Sequence, residues 1–337
     1  MDDDILLSIC IPTYNRKFQL QKTLDELQKC QDPRYDVIVS DNNSTDGTKE
    51  YLCSQNTQRI HYITHDHNIC PASNAFSTFE EAKGQYTLFL LDKDRICTKY
   101  LSVLLDELEK NNCDYGYCDL ESSKECVRME YLLPVPETFI RMSYLSKHPS
   151  GYFFRTSALK KELPQCACLA NDNFPFIMDV ICSHFATKGL ALIIHAPVIV
   201  TETSSESARV KSMTYNSENL WFAPKQVVER YKCFILDLSA LPIKEEVKTL
   251  MYSCLIKRSL SAASIGYSTI LSNEKNCAHY GIHPQTLSFF DLINISWHTF
   301  SELSKSTCLM KKIKVRVAIS VLLRNLFQII SYKMKTR

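Results

Sequence analysis

Apolar positions in the first hundred residues fall into short runs that alternate with helical stripes. Residues 5–11 form a β-branched and apolar run closed by Pro12, which predicts a strand that stops abruptly. Leu20, Leu24 and Leu27 then recur on one face of a helix over 18–30. Val37, Ile38 and Val39 mark a second buried strand over 36–40, 48–53 suits a short helix, and 59–64 a third strand. The spacing predicts a helix over 71–83 with Gly84 as its C-terminal cap. Residues 86–91 are continuously apolar, as a strand covered on both faces is.

Further on, a helix is predicted over 98–110 and a strand over 115–120. Residues 121–142 lack a clear period and carry Pro134 and Pro136. The stretch 151–162 reads as a strand passing into a helix, 174–188 as a helix followed by Gly189, and 190–200 as a strand pair broken at Pro197. A polar, serine-rich segment over 203–217 is the best linker, and the patterns beyond it are mostly helical. Repeated strand–helix–strand order implies an α/β domain whose mainly parallel sheet is flanked by helices. The expected organisation is therefore an α/β catalytic domain over 1–205 and a helical region over 206–337.

Composition narrows the function classes. Hydrophobic residues make up 45% of the 337, charged residues 23%, and the formal net charge is +2. Such a balance disfavours nucleic acid as a main partner. The fifteen cysteines are odd in number, form no CxxC pair and lie partly inside apolar runs. That pattern suits reduced, mostly buried thiols better than a disulfide framework or a zinc site. The opening Met1-Asp2-Asp3-Asp4 is acidic where a secretory signal is basic, so a cytoplasmic location is expected.

Polar residues gather where the strands end. Thr13-Tyr14-Asn15, Asp41-Asn42-Asn43 and Asp92-Lys93-Asp94 each follow an apolar strand, and parallel sheets bind ligands at the carboxyl ends of their strands. Asp92 and Asp94 can meet a divalent cation together, and Mn²⁺ or Mg²⁺ favours such oxygen ligands and can bridge a diphosphate. An isolated Asp-x-Asp is common by chance. Its position after Leu88-Phe89-Leu90-Leu91 is what gives it weight.

With these residues in view, the chain resembles glycosyltransferase family 2, whose fold is GT-A. The resemblance rests on Ser8-Ile9-Cys10-Ile11-Pro12-Thr13-Tyr14-Asn15-Arg16 and on the run from Ile38 to Thr48. It continues through Asn68, Asn74, Ala82-Lys83-Gly84 and Asp92-Lys93-Asp94, and covers roughly residues 5 to 200. It implies an inverting, nucleotide-sugar-dependent transferase in which Pro12, Thr13, Tyr14, Asn15, Arg16, Asn43 and Asn74 shape the nucleotide site. Asp41 would accept a hydrogen bond from the base, most often uracil, although a turn aspartate bonding its own backbone is the plain alternative. Asp92 would face ribose or phosphate, and Asp94 would be the main metal ligand. The family's late Glu-Asp pair, which supplies the general base, is missing. Asp172 and Asp179 both stand as candidates for it. Gly151, Tyr152 and Arg155 resemble the acceptor-side segment, with a buried aromatic strand as the equal alternative.

From Lys305 to Arg337 the chain carries nine Lys and Arg residues and no Asp or Glu. Its apolar residues recur at helical spacing, so a basic amphipathic helix either meets an anionic membrane surface through 311–337 or packs on the protein. The first option suits a lipid-linked saccharide acceptor at the inner face of a plasma membrane, an acceptor implied by the resemblance alone. A nucleotidyltransferase is disfavoured because Pro12-Thr13-Tyr14-Asn15 stands where its glycine- and arginine-rich loop would be, and a dinucleotide dehydrogenase because GxGxxG is absent. A catalytically degenerate nucleotide- or saccharide-binding protein of the same fold is the rival from another class.

Overall fold

A computed structural model describes residues 5–55, 58–120, 127–133, 136–166, 176–201, 220–305 and 315–335. The chain divides into two compact units, Met1–Ser212 and Met213–Arg337.

The first unit is built on an eight-stranded sheet of order β3-β2-β1-β4-β8-β6-β9-β7. Strand β1 (Leu7–Thr13) pairs in parallel with β2 (Tyr35–Asp41) and β4 (Tyr86–Phe89), and β2 pairs in parallel with β3 (Ile60–Thr64). Helices α1 (Lys17–Gln28), α2 (Thr48–Ser54) and α3 (Pro71–Glu81) make the crossovers that the alternation predicted. Ile9, Ile11, Val37, Val39, Leu88 and Leu90 join Leu20, Leu24 and Leu27 of α1 in one buried core.

Pro12 acts on one side of β1 only. Leu90 N donates to Cys10 O, so the backbone of Cys10, and of Pro12 two residues on, faces β4. Pro12 has no N–H with which to continue that ladder, and pairing with β4 ends at Cys10↔Phe89. Toward β2 the pairing runs on to Thr13↔Asp41. The chain after β4 is thereby released to turn at Asp92–Asp94.

The remaining half of the sheet is mixed. Strand β8 (Tyr152–Arg155) lies antiparallel between β4 and β6 (Tyr115–Cys118). β9 (Ala191–His195) is parallel to β6, and β7 (Arg128–Leu132) is antiparallel to β9 at the edge. The short β5 (Arg95–Ile96) and β10 (Ile199–Val200) pair with one another. Helices α4 (Thr98–Lys110), α5 (Glu137–Met142), α6 (Thr156–Cys166) and α7 (Ile177–Ala186) complete the unit.

Gly84 differs from the expectation of a left-handed cap. Its φ is not positive. A Cβ there would lie 2.6 Å from Ser8 N and 2.9 Å from Leu7 C, so glycine is required by close approach to β1. Its N–H donates to Ser8 Oγ at 2.9 Å.

The second unit is helical: α8 (Pro224–Ala240), α9 (Glu245–Ser261), a π turn at Ala262–Gly266, α10 (Tyr267–Leu271), α11 (Glu274–Tyr280), α12 (Phe289–Ser304) and α13 (Val315–Lys335). A capping box of Ser288 and Asp291 starts α12. The last helix has a buried face as well as an exposed apolar stripe, where the sequence suggested a single apolar face. Val321, Asn325 and Ile329, at spacing i, i+4, i+8, are buried within this unit. Ile319, Leu323, Phe327, Ile330 and Met334 form a second stripe that is exposed, Phe327 at 70%.

Candidate active site

Loop contacts bring the ends of β1, β2 and β4 together. Asn15, left-handed at φ 51°, accepts from Thr45 N at 2.7 Å through Oδ1, while its own N–H donates to Ser44 Oγ at 2.8 Å. Lys17 N donates to Asp46 Oδ2 at 2.8 Å, closing the two loops on each other. Asn42 grips the segment before α3 at both ends of its amide: Ile69 N donates to Oδ1 and Nδ2 donates to Ile69 O, each at 2.8 Å. An aspartate could accept there but not donate, which explains the amide at this position.

Sites expected to touch nucleotide differ in what they offer. Pro12, Tyr14, Asn15 and Arg16 are half-buried on the rim, Asn43 is exposed with φ 62°, and Thr13 is buried. Asp41 is buried and accepts from Ser44 N at 3.2 Å, the turn contact named as its alternative role. Asn74 is buried too. It accepts from Ser40 Oγ at 2.7 Å and donates to Ser40 O at 3.2 Å, stitching α3 to the end of β2. Those bonds engage its amide inside the protein rather than at the rim.

Asp92 and Asp94 are buried and held in unlike ways. Asp94 N donates to Leu91 O at 3.0 Å in a tight turn, and Thr23 Oγ1 of α1 lies 3.1 Å from Asp92 O and 2.9 Å from Asp94 O. Asp92 accepts from Thr13 Oγ1 at 2.9 Å and forms an ion pair with Arg16 at 2.8 Å. Asp94 Oδ2 contacts His148 Nε2 and accepts from Ser150 Oγ, both at 2.5 Å. Its Oδ1 is buried without a hydrogen-bond partner. Burying a carboxylate oxygen without a partner is unfavourable by roughly 1–3 kcal/mol or more, so this atom is suited to binding a cation. Among the described residues no group of three or more His, Cys, Asp or Glu gathers. A hard cation at Asp94 would thus draw its other ligands largely from water and a bound diphosphate. Asp92, engaged with Arg16 and Thr13, is the poorer ligand of the two.

Sequence reasoning did not find His148 or Ser150. They lie in a loop before β8 with no periodicity to flag them, 54 and 56 residues from Asp94.

Asp172 lies outside the described residues. Asp179, in the first turn of α7, is 1% exposed and points into the protein. Its Oδ1 accepts from Leu145 N at 3.0 Å, Ser146 N at 2.9 Å and Tyr152 OH at 3.2 Å. Burial outweighs these bonds and pushes its carboxyl up to about 6.

The acceptor-side expectation is corrected at Arg155. Strand β8 runs antiparallel to β4, so it leaves the site edge as it proceeds, and Arg155 pairs with Tyr86 at the start of β4. Several residues of strand, more than ~10 Å, separate it from the Asp92 turn. There its guanidinium bonds Tyr86 OH at 2.8 Å and Asn112 Oδ1 at 2.6 Å. Tyr152 is a buried core residue, in keeping with the aromatic-strand alternative. Gly151, with φ 100°, stays at the site edge and donates to Phe89 O at 2.9 Å.

The sequence model described as Glycosyl transferase family 2 matches residues 8–163, the segment that carries this strand-end cluster. This domain belongs to glycosyltransferase family 2. Among curated relatives of the family 2 domain, a GalNAc(5)-diNAcBac-PP-undecaprenol beta-1,3-glucosyltransferase of Campylobacter jejuni is 31% identical over 167 residues, 47% of this chain and 52% of that protein. An abequosyltransferase of Salmonella typhimurium is 29% identical over 171 residues, 49% of each chain. The chain thus spans about half the length of these relatives. In fold it is similar to residues 1–349 of S. aureus TarS, solved with UDP-GlcNAc, at TM-score 0.58 and 14% identity over 98% of this chain and 92% of that one.

Proposed function

We propose that this chain is an inverting glycosyltransferase that moves a sugar from a nucleoside diphosphate, a UDP-sugar by preference, to a saccharide hydroxyl. The observation that carries the proposal is the unmatched, buried Oδ1 of Asp94 at the strand-end rim of a family 2 domain. Names of the relatives give further support, since both are named as sugar transferases and one by an undecaprenol-linked saccharide acceptor.

Each residue then has a task. Pro12, Tyr14 and Asn15 form the rim against which a nucleoside rests, and Asp41 offers a carboxylate to its base. Arg16, steered by Asp92, brings positive charge to the side where a diphosphate would lie. Asp94 would hold Mn²⁺ or Mg²⁺, which when bound stabilises the charge developing on the departing diphosphate. The acceptor hydroxyl attacks the anomeric carbon as its proton passes to a carboxylate. Asp179 is enclosed by the protein, so Asp172 is the base we favour.

The acceptor we propose is lipid-linked, at the inner face of a plasma membrane. The exposed stripe of α13 supports this, together with Arg324, Lys333 and Lys335 and the absence of Asp and Glu from Lys305 onward. Among the described residues no helix is long and apolar enough to cross a membrane.

Release of nucleoside diphosphate from a panel of UDP-, GDP- and TDP-sugars, with Mn²⁺ and a mixture of lipid-linked saccharides, tests the reading. One donor should turn over, and Asp172→Asn should slow it by ~100-fold or more. Tight donor binding with no turnover would instead identify a binding protein of the same fold.

A further inference from the structure

The loop between α5 and β8 has more structure invested in it than a connection requires. Tyr144 and Ser146 both adopt the left-handed region, at φ 51° and 54°. A non-glycine residue there is strained and persists only where its surroundings enforce it. Here helix α7 enforces it. Ser183 Oγ accepts from Tyr144 N at 3.2 Å, and Asp179 Oδ1 accepts from Leu145 N and Ser146 N. Tyr152 OH, from the strand that follows, closes on the same carboxylate oxygen.

What the strained turn delivers is the next four residues. Tyr117 OH donates to His148 O at 3.3 Å, and the Lys147 ammonium lies 4.2 Å from the centre of the Tyr117 ring. Leu91 N donates to Ser150 Oγ at 3.0 Å, tying the loop's end to the Asp92–Asp94 turn. His148 and Ser150 then meet Asp94 Oδ2, while Oδ1 remains unmatched. An imidazole nitrogen in contact with a buried carboxylate, beside an unmatched oxygen, is a two-ligand corner for a divalent cation. Ser150 serves as the hydrogen-bond support that orients its carboxylate.

We propose that His148 is the second protein ligand, beside Asp94, of the cation that binds the donor diphosphate, and that Asp179 is the positioning residue that holds its loop in place. This rests on the glycosyltransferase reading, and the test separates the two. Mn²⁺ binding to the full chain in the presence of UDP is followed by electron paramagnetic resonance, with pulsed detection of nitrogen nuclei coupled to the ion. Wild type should show a histidine nitrogen coupling, a readout that needs no variant to fold. His148→Ala should weaken Mn²⁺ by ~10-fold or more while leaving metal-free UDP affinity unchanged. Asp179→Ala should weaken Mn²⁺ likewise. Asp179→Asn keeps an acceptor for Leu145 and Ser146 and should hold both Mn²⁺ affinity and kcat within about threefold of wild type.

Bound Mn²⁺ without nitrogen coupling, or Mn²⁺ affinity unchanged in His148→Ala but lost in Asp94→Asn, overturns the ligand assignment and leaves the function standing. A collapse of kcat in Asp179→Asn at unchanged Mn²⁺ affinity overturns the positioning role. If wild type with UDP binds no Mn²⁺, the function reading itself fails.

Discussion

Replacing Asp179 by Asn should change how stability depends on pH, by an amount that follows from the burial of this one carboxyl. The side chain is 1% exposed, and burial raises its carboxyl from the ordinary 3.8 to about 6 despite hydrogen bonds from Tyr152 and from the backbone of Leu145, Ser146 and Lys147. A group whose pKa is higher in the folded than in the unfolded chain binds more protons when folded between those two values. Stability therefore falls as pH rises through that window, from near 4 to near 6, and is flat outside it. At roughly 1.4 kcal/mol per pH unit the rise amounts to about 3 kcal/mol. Asn cannot titrate, so the variant lacks this contribution while keeping one acceptor oxygen for the loop. Urea unfolding of both proteins at pH 4 and pH 7.5 isolates it, because every other group cancels in the difference. Because pH 4 already lies just inside the window, wild-type stability minus variant stability should drop by about 2 kcal/mol between the two pH values. A constant difference would refute the claim that Asp179 is desolvated in the folded chain.

Other consequences can be checked separately. Gly84→Ala sets a Cβ 2.6 Å from Ser8 N, a backbone atom that cannot yield easily. It should lower the unfolding free energy by about 1–3 kcal/mol in the same urea assay. Leu323→Glu with Phe327→Glu replaces two residues of the exposed α13 stripe and should leave the far-ultraviolet circular dichroism unchanged. The pair should cut sedimentation with phosphatidylglycerol vesicles by ~10-fold or more, since each loses an apolar burial of roughly 1.5–3 kcal/mol. Wild-type binding to these vesicles should also weaken with salt, and should be far poorer to vesicles of phosphatidylcholine alone.

Much of the first unit could be read from the sequence because its central strands are apolar on both faces. Val37, Ile38 and Val39 have no polar alternation to confuse them with a helix, and the polar triplets that follow mark where each strand ends. Strand direction is a different matter. Side-chain alternation is the same for parallel and antiparallel pairing, so nothing in Tyr152-Phe153-Phe154-Arg155 announced that β8 reverses and carries Arg155 to the opposite edge. Strand β7 is not legible in the sequence because it is a half-exposed edge strand whose residues, Arg128-Met129-Glu130-Tyr131-Leu132, show no apolar run. Gly84 reads as a cap because a glycine after a helix looks the same in sequence whether φ or close packing demands it. His148 is the more consequential omission. The signal available was a Lys-His-Pro-Ser immediately before an aromatic strand, and only the folded chain shows that this segment meets Asp94.

Calorimetric titration of UDP with and without Mn²⁺, in wild type and in Asp94→Ala, bears most directly on whether this rim is a metal-assisted diphosphate site. Mn²⁺ should strengthen UDP binding to wild type by roughly tenfold or more, and Asp94→Ala should abolish that gain while retaining the metal-free affinity. The same enhancement in both proteins would contradict the account.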